Sequence, residues 1–166
     1  MATVSLGLKA EVHPVNSAFL AMSYEEFDQS KTGWRLLAEK RQFVEAAEFI
    51  RDYLVEHRDL DLYQQDSLWF HAGQMYAFAN NELEAIACMS HSMQAEQSPY
   101  APIQWKPYVV ATIAFLQKDE SKLRQQQQII AKGIVMDGEI PNFALVNRMV
   151  ERLHETYESY IVNMHE

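Results

Sequence analysis

An all-α fold is predicted by three observations on this chain of 166 residues. Ala, Glu, Gln, Leu and Met, the residues that lose least in a helix, far outnumber Val, Ile and Thr. Gly and Pro are scarce, at five each, which leaves little material for the turns of a sandwich or barrel. The apolar residues recur at the i, i+3, i+4 spacing of an amphipathic helix, and no segment reads as a β-hairpin.

The elements follow in order. Residues 1 to about 13 carry no sustained period and read as a loose arm, and Pro14 suits the first turn of a short helix ending near Met22. Ser23, followed by Glu25 and Glu26, resembles a helix start. The stretch Ser30–Arg41 places Trp34, Leu37 and Ala38 on one stripe, and Phe43–His57 does the same with Phe43, Ala46, Ala47, Ile50 and Leu54. From Asp61 to Asn80 the stripe is Leu68, Ala72, Met75, Tyr76 and Ala79, ending in the turn-forming pair Asn80-Asn81. Glu82–Ala95 carries Leu83, Ile86, Met89 and Met93. The segment Gln97-Ser-Pro-Tyr-Ala-Pro102 breaks the pattern. A helix over Ile103–Gln117 tolerates Pro107 in its first turns, where the missing N–H is not needed. Asp119 reads as the N-cap of the next, with Leu123, Ile129 and Ile130 inward. Gly133, Gly138 and Pro141 mark a linker over 133–141. Asn142 then reads as the cap of one last helix with Val146, Met149, Val150, Leu153, Tyr157 and Ile161 on one face. The expected organisation is an arm and short helix over 1–29, helix pairs over 30–132, the linker, and a terminal capping helix over 142–166.

The formal charge of −9 argues against a nucleic-acid partner, since Lys and Arg are scattered and form no basic stripe. The longest apolar run, Tyr108–Leu116, is about half of the roughly 20 residues a membrane span needs. The first residues show no secretory pattern, and the lone Cys88 suits a reducing compartment, so the expected location is cytoplasmic.

Helix pairs recurring about every 35 residues invite a search for repeats. In the middle pair, Trp69-x2-Ala72-Gly73-x2-Tyr76, with Ala85 nine residues on, resembles the tetratricopeptide repeat. Gly73 there permits a close helix approach, Trp69 and Tyr76 fill the gap, and Ala85 lies at the crossing. Ala72 replaces the family's leucine, and Met89 and Ser92 replace its phenylalanine and alanine. The flanking pairs are degenerate: Trp34 stands where glycine is expected, and Trp105-x2-Tyr108 keeps spacing without the glycine. The run Tyr108–Leu116 is also similar to segments of bacterial helical proteins, a likeness that implies no activity.

The resemblance implies a short right-handed superhelix of stacked antiparallel pairs, closed by the C-terminal helix. It also implies a concave groove lined by the first helices of the pairs. The corresponding slots hold Arg35, Phe70, His71, Gln74, Phe78 and Lys106, with Tyr108 nearby. Such a set suits a carboxylate or an extended peptide, and the expected function is a non-catalytic scaffold for a peptide or protein partner. The plainer alternative leaves Arg35 and Lys106 solvated and His71 hydrogen-bonded within the fold. Two other readings stand beside the scaffold: a homodimer formed through the last helix, and a small enzyme using His71 with Tyr108. Cys88-x2-His91 and Glu151-x2-His154 have metal-ligand spacing, but each occurs once and lacks the second half of a site. No metal or other cofactor is expected. No phosphate-binding glycine loop and no nucleophile elbow occurs.

Overall fold

The computed structural model describes residues 16–98 and 100–162. The arm over residues 1 to 13 and the role of Pro14 lie outside them. Among the described residues the chain is helical, without strands. The order is α1 (Asn16–Leu20), a π-helical turn (Glu25–Gln29), α2 (Arg35–Glu39), α3 (Phe43–Glu56), α4 (Leu62–Phe78), α5 (Glu82–His91), α6 (Trp105–Leu116), α7 (Glu120–Ile130), α8 (Phe143–Glu151) and α9 (Tyr157–Val162). A single bridge between Met136 and Glu139 folds the 133–141 linker.

Each helix from α2 to α8 packs on its neighbour in sequence; α1 also packs on α3, α8 on α6, and α9 returns to α4. The core is apolar and continuous, with Ile50, Leu68, Met89, Val109, Phe115 and Leu123 removed from solvent. Gly73 acts as its sequence position suggests. A Cβ there would stand 2.5 Å from Met89 Cγ and 2.9 Å from the Ala85 carbonyl oxygen, so α5 lies closer to α4 than any side chain permits.

Local chemistry sets most boundaries. Asp61 and Gln64 form a reciprocal capping box that starts α4. Asp119 accepts from the Lys122 N–H and starts α7. Ser23 and Glu26 exchange the same kind of pair before the π-helical turn.

Several expectations are corrected. The helix expected over Ser30–Arg41 is confined to Arg35–Glu39, because Gly33 adopts φ +57° and breaks the path. Leu83 is 84% exposed and Ile129 41% exposed, although both were placed on inward stripes. Asn142 makes no side-chain cap and sits in the left-handed region at φ 65°. The single last helix is two, α8 and α9, separated by a turn. In that turn the Glu155 N–H donates to the Arg152 carbonyl, and Thr156 Oγ1 accepts from the Ser159 N–H to start α9. Val146, Met149, Tyr157 and Tyr160 are all buried within the chain.

Candidate functional site

The face of α4 expected to line a groove meets two other parts of the chain. At one end stands Asp28. The π-helical turn buries Phe27 and Asp28 together, and Phe27 stacks on Tyr53 with ring centroids 3.9 Å apart. Gly33 then passes so near the Phe27 carbonyl that a Cβ would lie 2.3 Å from its oxygen, and this close approach returns Trp34 and Arg35 to Asp28.

The carboxylate is fully buried and well supplied with donors. Trp34 Nε1 donates to Oδ1 at 3.0 Å and His71 Nδ1 donates to the same oxygen at 2.8 Å. Gln29 Nε2 donates to Oδ2 at 2.6 Å. Arg35 donates through Nε to the Asp28 carbonyl at 2.9 Å, keeps Nη2 at 3.9 Å from Oδ1, and lies over the Trp34 ring. Burial raises the carboxyl's proton affinity, but His71, Trp34 and Arg35 outweigh it and hold Asp28 below the usual aspartate range.

Toward the other end, α9 covers α4. Gln74 Nε2 donates to the Tyr157 hydroxyl at 2.9 Å, and Phe78 packs between Phe43 and Tyr157. Phe70 lies against Trp105 and Tyr108. Burial pushes the Tyr108 hydroxyl up to about 12, and Thr112 only partly offsets it.

Of the expected residues, Arg35 and His71 therefore converge, but on Asp28 of the same chain. Phe70 pairs with Tyr108, and Gln74 with Phe78 at Tyr157. Lys106 stands apart from Arg35, with its backbone N–H 3.4 Å from Gln97 Oε1. His71 is committed to Asp28, whereas the ring of Tyr108 packs on Phe70 and Trp105 and its backbone carbonyl accepts from Thr112 Oγ1. Burial raises the Cys88 thiol to about 11, which keeps it protonated at neutral pH. Among the described residues, no group of three His, Cys, Asp or Glu side chains is placed to hold a metal ion.

An open and largely apolar concavity lies elsewhere, beneath the irregular segment between α5 and α6. Asp66, buried on α4, accepts from the Gln94 N–H at 3.0 Å and the Ala95 N–H at 2.9 Å. Trp105 Nε1 donates to the Ser92 carbonyl at 2.6 Å, and the Tyr63 hydroxyl donates to the Glu96 carbonyl at 3.0 Å. These bonds hold the segment as an arch over a cleft of about 340 Å³ walled by Tyr63, Ala95, Pro102, Ile103 and Trp105. Around its mouth Tyr63 is 69% exposed and Ile103 46% exposed.

Sequence reasoning missed Asp28 and Asp66. For Asp66 a signal existed: Asp66, Phe70, Gly73 and Ala77 form one 4-3-4 stripe, all of it buried, and an acid on such a stripe demands donors. Asp28 offers only its place beside Phe27 and before the Gly33-Trp34-Arg35 return.

Comparison with protein-family models, with curated proteins and with solved structures returned no match.

Proposed function

We propose that the protein is a non-catalytic interaction scaffold whose helix pairs α2–α3, α4–α5 and α6–α7 stack in the tetratricopeptide-like manner, and whose partner is a peptide or protein segment. One observation carries the reading. The buried polar side chains spend their hydrogen bonds inside the fold, whereas the cleft under the arch leaves a concave and largely apolar surface open, lined by the exposed Tyr63 and Ile103. Clustered exposed apolar groups beside a preformed cavity suit recognition rather than chemistry. The binding surface therefore shifts from the α4 face around His71 and Gln74 to the end of the bundle where α4 begins.

The experiment is quantitative capture by the immobilised full chain, comparing wild type with a Tyr63→Ser/Ile103→Glu double variant of unchanged circular dichroism. Both positions are exposed, and the arch keeps its bonds from Asp66 and Trp105 when the Tyr63 hydroxyl is lost, so the fold should persist. A partner set retained by wild type and lost by the variant is expected. Identical sets from the two proteins would overturn the assignment.

A further inference from the structure

Among the described histidines, His71 is the one with a carboxylate behind a ring nitrogen; His57 turns its Nε2 to the Leu20 carbonyl instead. A carboxylate only accepts, so the 2.8 Å contact fixes the neutral His71 tautomer, with the proton on Nδ1 and a lone pair on Nε2. That second nitrogen points away from Asp28 and has no hydrogen-bond partner among the described residues. The side chain keeps 20% of its surface open.

The pair is held from several sides. Asp28 lies on a π-helical turn, a rare form that recurs at functional sites. Trp34 and Gln29 hold its carboxylate independently of His71, and the indole also packs against the imidazole, with ring centroids 5.2 Å apart. Arg35 completes the group. Its Nε is engaged by the Asp28 carbonyl, but neither Nη donates a hydrogen bond among the described residues. Nη2 stands 3.9 Å from the carboxylate oxygen that His71 contacts, and the Arg35 side chain is 35% exposed.

An imidazole lone pair beside a guanidinium with free donors selects among electrophiles. The guanidinium repels a metal cation, and no group of three ligands is placed for one among the described residues. A phosphoryl group suits the arrangement, because its oxygens match the planar fork of Arg35. Transfer to Nε2 leaves the ring positively charged, and the buried Asp28 carboxylate compensates that charge through the Nδ1 proton.

We propose that His71 Nε2 is a phosphoryl-acceptor site for a small donor of the phosphoramidate class, with Asp28 orienting the ring and Arg35 pairing with the phosphoryl oxygens. The Nε2 lone pair attacks phosphorus, and the bond from phosphorus to Nε2 forms as the P–N bond of the donor breaks. Phosphoramidate reacts with its nitrogen already protonated, so ammonia leaves with the bonding electron pair and the Nδ1 proton stays between the ring and Asp28. The site is separate from the cleft of the scaffold reading and does not depend on it.

The full chain is incubated with potassium phosphoramidate, and the label is located by mass spectrometry under alkaline conditions that preserve phosphohistidine. Labelling of His71 is expected, with the bond at Nε2 by phosphorus NMR, while the other five of the six histidines stay unlabelled. Asp28→Asn should slow labelling about 10–100-fold, the usual effect of losing the carboxylate behind a working histidine. Arg35→Gln should slow it too, and Arg35→Lys should recover part of the rate by restoring the charge. Because Asp28→Asn also weakens the fold, wild type in urea is the second measurement: there His71 should lose its advantage over the other histidines. Label spread evenly over the histidines of the native chain overturns the proposal, as do label at Nδ1, no label at His71, or selectivity that survives in urea. A rate indifferent to Asp28→Asn or to Arg35→Gln, or no recovery with Arg35→Lys, overturns it equally. The scaffold reading is decided apart from this, by the Tyr63/Ile103 variant.

Discussion

At Asp28 a full negative charge sits without solvent, a situation tolerated only because several donors face it. Removing one partner of such a buried set costs about 3–5 kcal/mol, because the others are left unpaired in a medium that cannot solvate them. Asp28→Asn should therefore lower Tm by roughly 10 °C, at about 2–4 °C per kcal/mol for a chain of this size. The pH dependence has a definite sign. The folded carboxyl binds its proton less tightly than the unfolded one, so acid favours unfolding. The contribution is complete above about pH 4, the ordinary aspartate range, and is lost as pH falls through the lower folded value. Thermal melts from pH 7 down to pH 3 should show a shallower decline for Asp28→Asn than for wild type. Parallel curves would mean that Asp28 titrates alike in both states.

Among the elements, the α4–α5 contact gives the cleanest case of sequence determining geometry. In an ordinary helix Gly→Ala gains up to about 1 kcal/mol. At Gly73 the new methyl would meet Met89 Cγ and the Ala85 carbonyl, and the carbonyl belongs to a helix that cannot yield locally. Overpacking of this kind costs about 1–3 kcal/mol. Gly73→Ala should thus lower Tm by several degrees, and a rise on melting would show that α5 moves freely away. Gly73 was legible because one residue, read against Trp69, Tyr76 and Ala85, has one local consequence. The capping residue Asp119 was legible for the same reason. The break between α8 and α9 was not. Val146, Met149, Val150, Leu153 and Tyr157 keep helical spacing straight across it, and distant groups hold the turn beside its local Arg152–Glu155 and Thr156–Ser159 bonds. Lys118, at the end of α6, donates to the Glu155 carbonyl, and α4 supplies Gln74 and Phe78 for Tyr157. The partners of His71 and Gln74 were hidden on similar grounds. Phe70, His71, Gln74 and Phe78 all lie on α4, but periodicity is silent about which other segment covers a face. Here Asp28 and Tyr157 do so, from opposite ends of the sequence.

Across the molecule, those two contacts separate this fold from a linear array. In a simple stack each repeat touches only its neighbours, so loss of the last element loosens the adjacent one first and decays with distance. Here α9 skips back to α4, and Arg41, just before α3, pairs with Glu158 on α9. Phe43, Phe78 and Tyr157 join α3, α4 and α9 in one run of aromatic contacts, and Tyr157 and Tyr160 extend it to Phe115 on α6. A chain ending at Glu155 would keep α7 and α8 intact yet uncover Phe78 and Phe115 at once. Hydrogen exchange on that truncated chain should show lost protection in the last turns of α4, around Gln74–Phe78, as well as in α6. The amides of α5 that face Gly73 should change less, since their contact with α4 does not involve α9. Loss confined to α6, α7 and α8 would instead identify a linear stack in which α9 is a terminal appendage. The two outcomes differ at residues roughly eighty positions from the cut in sequence, where α9 meets α4 through the 2.9 Å hydrogen bond from Gln74 to Tyr157.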